Sequence, residues 1–168
     1  ALFDVVVISD QMKEETNEKL IEIGATLIKV SYKDSSKAKA MQLAMNTLDE
    51  DKYDAVVVMD GDNLVEPDFL ERINDVFDVG HIAIQAHRMA KNTNTSTALL
   101  DAISEEMNNS FFRKGHVNLG FSSALIGSGM AFDYKWFKKN IFGASTAGED
   151  KELEAILLKQ RIYIEYIE

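Results

Sequence analysis

The sequence predicts an α/β protein with largely parallel strands, and three observations carry that prediction. Short apolar runs of strand length alternate with amphipathic helical stretches from residue 3 to about residue 78, a pattern that pairs strands in parallel through right-handed crossovers. The run at residues 55–59, AVVVM, is too short for a helix and carries three valines, as expected of a strand buried on both faces of a parallel sheet. It ends abruptly in Asp60-Gly61-Asp62, and in open α/β sheets the loops leaving the carboxyl ends of the strands line the ligand crevice.

Residues 3–8 (FDVVVI) form the first expected strand and lead into a turn at Ser9-Asp10. Leu20, Ile21 and Ile23 give the next helix its apolar residues over 16–23, with Gly24 as C-cap. Residues 26–30 are a second strand and residues 31–37 a polar loop. From Ala38 onward, Met41, Ala44, Met45 and Leu48 share one helical stripe that stops at Asp49-Glu50-Asp51. Beyond the acidic loop, Pro67 suits the first turn of a helix whose face is Phe69, Leu70, Ile73, Val76 and Phe77. Residues 81–86 are expected to be a strand, residues 91–97 a polar loop, and Leu99, Leu100, Ile103 and Met107 mark one long helix. Residues 115–132 mix Gly, Ser and Asn with scattered apolar residues, suited to loops and short strands lining a pocket, and Trp136-Phe137 suits a core wedge. Leu153, Ile156 and Leu157 define the last helix, and residues 161–167 close as a strand.

The composition narrows the function. With 168 residues, 46% hydrophobic and 27% charged, the chain suits one globular domain, residues 1–168, with a substantial core. Eighteen basic against 28 acidic residues give a net charge of -10, which argues against nucleic acid or an anionic membrane as the partner of the whole surface. Cysteine is absent, and His81, His87 and His116 show no ligand spacing, so thiolate and multi-histidine zinc sites are not expected. The longest uncharged stretch, residues 117–132, is broken by three glycines and three serines and is shorter than a membrane span. The chain opens on Ala1-Leu2-Phe3 with no signal-peptide pattern, which suggests a fragment of a longer protein.

Two patterns carry chemistry. Asp60 and Asp62 repel each other unless a proton, a hydroxyl or a cation intervenes, and magnesium or manganese is commonly held by one or two carboxylates with phosphates and waters completing the shell. In isolation an ordinary solvated turn also accounts for D-G-D-N. Glu149-Asp150 falls in the first turn of the last helix, where the dipole favours carboxylates, so good helix-start chemistry is the alternative to a catalytic pair there.

Taken in order, these pieces resemble glycosyltransferase family 2, the inverting nucleotide-sugar transferases of the GT-A fold. Ile8-Ser9-Asp10 with Thr16 is similar to the family's second strand and aspartate-led turn, and Lys37-Ala38-Lys39-Ala40-Met41 to its loop-to-helix segment, with Ser36 and Ala38 where glycines are usual. Asp60-Gly61-Asp62 matches the D-x-D motif, Gln85-Ala86 the strand after it, Gly127-Ser128-Gly129-Met130 the G-[TS]-G-M loop, and Glu149-Asp150 the E-D pair. The resemblance implies a three-layer α/β/α sandwich with a mostly parallel central sheet. It implies a metal, Mn2+ or Mg2+, held by Asp60 and Asp62, with Asp60 also able to take the ribose hydroxyls. Asp10 would contact base or ribose, Lys37 would lie near the nucleotide, and the Gly127, Ser128 and Gly129 loop would approach donor sugar and acceptor. Asp150 would be the general base, and Glu149 would position acceptor or loop. The implied partners are a nucleotide-sugar donor, UDP-linked by resemblance, and a glycan or lipid-linked acceptor. The implied location is cytoplasmic, or the cytoplasmic face of a membrane for a full-length protein. The family's first strand with its P-x-Y-N type loop has no match at the N-terminal end, nor has the later Q-x-x-R-W segment with its membrane helices, so a catalytic core fragment is expected.

Three rivals remain at this level. A haloacid dehalogenase-like phosphatase would use Asp60 as nucleophile and Asp62 as acid, but such a fold opens with that strand, whereas two strand-helix units precede it here. A nucleotidyltransferase would want a glycine-rich basic loop near the first strand. A nucleotide-sugar-binding module that has lost catalysis would not need the retained acids.

Overall fold

The computed structural model describes residues 2–168. Its first strands, β1 (Val6–Asp10) and β2 (Thr26–Val30), pair in parallel around helix α1 (Glu14–Glu22). Four further strands, β3 (Ala55–Val58), β4 (Ala83–Ala86), β5 (Met130–Asp133) and β6 (Ile164–Ile167), form a second sheet in the order β3-β5-β4-β6. Within it β4 and β6 are parallel, while β5 runs antiparallel to both β3 and β4.

The α/β architecture is the one expected, and its strands are parallel in part. Residues 55–59 do not form a central strand: β3 is hydrogen-bonded to β5 alone and stands at the edge of its sheet, with three of its four residues only partly buried. The apolar content of such a run does not say on which side its partners lie. The first strand also begins later than expected and takes in Ser9 and Asp10, because its register is set by pairing Val6 with Thr26 through Asp10 with Val30.

Helices cover both faces. On one side α2 (Lys37–Thr47), α6 (Tyr134–Ile141) and α7 (Glu149–Lys159) bring Ala38, Met41, Met45, Phe137, Ile141, Leu153 and Leu157 against Val58, Met130, Phe132 and Ile164. On the other, α3 (Phe69–Asp78) sets Ile73, Phe69, Val76 and Phe77 against Ile84 and Ala131. Met130 and Phe132 thus face one layer and Ala131 the other, as a strand's alternation requires. Each fully buried large side chain contributes about 1.5–3 kcal/mol relative to exposure. Phe137 is such a residue and stacks on Phe132 with ring centroids 5.1 Å apart, whereas Trp136 is only partly buried at the core's edge.

The long helix expected near residue 100 is present as α4 (Ser96–Asn108), capped by the Thr95 hydroxyl, which accepts from Ala98 N. It continues into a π-helical turn, Asn109–Lys114, and a short α5 (Gly115–Asn118), the latter opening the stretch where loops and short strands were expected. Gly115 permits this: a Cβ there would stand 2.8 Å from the Ser110 carbonyl oxygen. The apolar stripe of α4 does not enter the core, since Leu99, Leu100, Ile103 and Met107 are all about half exposed or more. Helical periodicity marks an apolar face without saying what covers it.

Candidate active site

The acidic loop, the N-terminus of α2 and the glycine loop before β5 meet at one cation. Lys37, the first residue of α2, directs Nζ to Asp60 Oδ1 at 2.5 Å and to the Gly127 carbonyl oxygen at 2.5 Å. Asp60 stands two residues past the end of β3, and its backbone N–H donates to Asn63 Oδ1 at 3.1 Å and to Ser128 Oγ at 3.2 Å. The Ser128 hydroxyl donates in turn to Asn63 Oδ1. Three segments distant in sequence are therefore locked into a single unit.

Gly127 and Gly129 lie at φ 79° and 66°, a conformation costly for side chains with a Cβ. Their loop is tied on both sides, because Gly129 N donates to Val58 O at 2.9 Å and Ala86 N donates to Gly129 O at 2.8 Å. Gln85, fully buried, completes the brace: its Nε2 donates to Ser128 O at 3.0 Å and to Ala86 O at 2.9 Å, and its Oε1 accepts from Ile126 N at 3.0 Å.

Asp150 stands across this loop on the first turn of α7. A Cβ placed on Gly127 would lie 3.8 Å from Asp150 Oδ2, so carboxylate and glycine loop are in near contact, while Oδ1 accepts from Lys151 N at 2.8 Å. Glu149 is 5% exposed, and among the described residues it makes no hydrogen bond to the other members of the site. Asp62 sits one residue from the lock; its Oδ1 accepts only a 3.4 Å hydrogen bond from Asn63 Nδ2, and its carbonyl oxygen accepts from Lys91 Nζ at 3.0 Å. Asp10 ends β1 and accepts from the Ser35 hydroxyl through Oδ2, while its Oδ1 is buried without a partner among the described residues.

Of the residues singled out from sequence, Lys37, Asp60, Gly127, Ser128 and Asp150 are thus brought together, Asp62 and Gly129 adjoin them, and Asp10 joins through the Ser35 side of the loop before α2. Ser128 is fully buried and its hydroxyl is spent on the Asp60–Asn63 turn, so it shapes the loop from behind. Sequence reasoning passed over Asn63 and Gln85 as working parts. A polar residue inside the buried strand β4 was the signal for Gln85; Asn63 looked like an ordinary turn residue.

Asp10, Asp60, Asp62, Glu149 and Asp150 outnumber Lys37 and Lys91, so an anionic ligand needs added positive charge here. Among the described residues no group of three or more His, Cys, Asp or Glu side chains is placed to hold a metal. Asp60 and Asp62 are two carboxylates on one loop. Asp60 already attracts a cation, Lys37, at 2.5 Å, and hard oxygen donors of this number suit magnesium or manganese when phosphate and water supply the remaining positions.

The sequence matches the family described as glycosyltransferase like family 2 over residues 1–167. The chain belongs to that family. Solved structures agree on the fold. One similar structure is glucosyl-3-phosphoglycerate synthase from Mycobacterium tuberculosis in complex with uridine diphosphate, at TM-score 0.61 and 14% identity, over 96% of this chain and 57% of that one. The same synthase with Mn2+, UDP-glucose and phosphoglyceric acid matches at TM-score 0.59 and 16% identity, over 96% and 57%. The 4-diphosphocytidyl-2C-methyl-D-erythritol synthase of Anaerococcus prevotii matches at TM-score 0.57 and 14% identity, over 97% and 69%. This family 2 chain therefore spans 57% of the length of the synthase it matches. Comparison with curated proteins found no match. Family membership removes the phosphatase alternative, in which Asp60 would have been a nucleophile. No described helix is long and apolar enough to cross a membrane.

Proposed function

We propose that this domain transfers a sugar from a UDP-sugar to an acceptor hydroxyl with inversion, aided by Mn2+ or Mg2+ at Asp60 and Asp62. The observation that carries the proposal is the junction of Lys37, Asp60 and Gly127 with Asp150 against the far side of Gly127. It sets a cation-binding acidic loop and a candidate base on two sides of one rigid glycine loop. The solved synthase with Mn2+ and UDP-glucose supports the choice of donor and metal.

When bound, the metal supplies positive charge against the diphosphate as the glycosidic bond breaks. The chain's own residues do the rest. Lys37 adds a fixed positive charge beside Asp60 for the diphosphate. The orphaned Asp10 Oδ1 offers an acceptor for a ribose hydroxyl or a uracil N–H, the unmet partner that a buried carboxylate oxygen requires. Asp150 removes the acceptor's proton as its oxygen attacks, and attack opposite the leaving group inverts the sugar carbon in a single displacement. Glu149, buried on the first turn of α7, positions the acceptor or the glycine loop. A nucleotidyl-transfer reading lacks the basic glycine-rich loop it would use near β1.

Calorimetry with UDP tests the reading, with and without manganese. Binding that weakens at least tenfold in EDTA, together with manganese-dependent release of UDP from a UDP-sugar, supports it. Equal affinity in EDTA would remove the metal, and absence of UDP binding in manganese would remove the reading itself.

A further inference from the structure

The chain leading into the glycine loop has no sheet ladder of its own. Residues 121–129 form neither helix nor strand, yet Leu125 within them is fully buried, and buried backbone groups need partners. Side chains of α7 supply both. Leu125 N donates to Glu154 Oε2 at 2.8 Å, and Leu125 O accepts from Lys151 Nζ at 2.7 Å. Lys151 Nζ also lies 2.8 Å from Glu154 Oε2, so one carboxylate oxygen closes the group. The next residue is held from the other direction: Ile126 N donates to Gln85 Oε1 at 3.0 Å, and Gln85 stands on β4, which is paired with β5 on one side and β6 on the other. Leu125 is thus tied to the helix and Ile126 to the sheet, directly before Gly127.

The spacing on the helix matches the spacing on the loop. Asp150 and Glu154, four residues apart on α7, share one face about one turn, or 5.4 Å, apart, while Leu125 and Gly127 are two residues apart and separated by at most about 7 Å. Asp150 Oδ2 stands beside Gly127 and Glu154 Oε2 beside Leu125, so helix face and loop run side by side with two points in register. Leu153 and Leu157 anchor α7 in the core, but apolar packing is non-directional. A directed hydrogen bond is what sets the register.

Glu154 and Lys151 by themselves would be an ordinary pair at i and i+3, worth little on a surface. The Glu154 side chain is only 22% exposed, however, and it accepts a backbone N–H that has no other partner among the described residues. Its polar contacts among those residues are with Leu125 and Lys151.

We infer that Glu154 is a positioning residue for sugar transfer: by holding Leu125 it sets the distance between Asp150 and the glycine loop, and so aims the proposed base at the acceptor oxygen. The inference rests on the glycosyltransferase reading above. Its test uses UDP-glucose and manganese with water as acceptor; the water oxygen bonds to the sugar carbon, its proton passes to Asp150, and UDP leaves. UDP release is read beside UDP affinity by calorimetry and amide hydrogen exchange by mass spectrometry. Glu154→Ala keeps KM and UDP affinity within about twofold and lowers kcat at least about tenfold, because a small misplacement of a reacting group acts on the chemical step. Exchange quickens over residues 123–129. Glu154→Gln, whose amide oxygen accepts the same N–H, recovers kcat and slow exchange although it gives up the charge pair with Lys151. Thermal unfolding shows both variants folded at the assay temperature. Wild-type kcat in Glu154→Ala would overturn the inference, as would UDP affinity falling in step with kcat, the mark of a purely structural support. Glu154→Gln as slow as Glu154→Ala would overturn it too, by assigning the effect to the charge pair. UDP bound by the wild type without release from UDP-glucose would sink this inference alone; failure of UDP to bind in manganese would sink the reading beneath it.

Discussion

Lys37 Nζ lies 2.5 Å from Asp60 Oδ1 and spans to the Gly127 carbonyl oxygen, so a single ammonium group both neutralises the acidic loop and ties it to the glycine loop. A divalent cation at Asp60 has to share that carboxylate with it. Lys37→Met removes the competitor and also a positive charge that the diphosphate would meet. The expected outcome is tighter manganese binding in the absence of nucleotide and weaker UDP binding in its presence, by about tenfold. Both are read by calorimetry, and unchanged UDP affinity would place Lys37 outside the nucleotide site.

Asp62 and Asp150 are assigned to opposite sides of the reacting carbon, and the variants separate them. Asp62→Asn lowers manganese-dependent UDP affinity, because it removes one of the loop's two carboxylates. Asp150→Asn keeps the fold and UDP affinity but loses sugar transfer by about 10² to 10⁴, the usual range for removing a positioned base. Glu149→Gln costs less transfer. Near-normal turnover in Asp150→Asn would return that residue to the role of a helix-start acid.

Three glycines report on backbone geometry. Gly127→Ala has room for its Cβ, the nearest group being Asp150 Oδ2 at 3.8 Å, but must hold φ 79°; strain of about 1–2 kcal/mol follows, a fall of about 2–8 °C in Tm for a chain of this size. Gly115→Ala meets the Ser110 carbonyl oxygen at 2.8 Å and costs more. Gly61→Ala has nothing within 4 Å and no positive φ, and leaves Tm unchanged. Thermal unfolding of the three variants orders them.

Alkaline stability follows from Tyr166 on β6. Burial pushes its phenol up to about 12 from the ordinary 10.0, and its hydroxyl is buried without a partner among the described residues. Between these values the unfolded chain has lost a proton that the folded chain keeps, so stability falls as pH rises from about 10 toward 12. Tyr166→Phe makes that fall shallower without abolishing it, since burial also raises the phenols of Tyr134 and Tyr163, and it costs little at pH 7, because no hydrogen bond is lost. Denaturant titrations across this pH range show the wild-type slope and its reduction in the variant.

The sequence by itself determined the alternation of strands and helices up to residue 78, the acidic turn after the valine run, and the family, because ordered short motifs survive where overall identity does not. These features are local: apolar period, helix-start chemistry and turn residues act within a few positions of one another. Tertiary structure alone decided that β3 is an edge strand, that β5 reverses between β3 and β4, and that the stripe of α4 faces outward, since each depends on which surface a distant segment covers. It also decided the site. Nothing local says that Lys37 reaches Gly127, 90 residues away, or that Asn63, Gln85 and Ser128 spend their polar atoms bracing two loops, because such partners are chosen by packing rather than by neighbouring sequence. The π-turn after α4 is of the same kind: Gly115 permits it, and only the folded chain shows the buried Arg113 it carries.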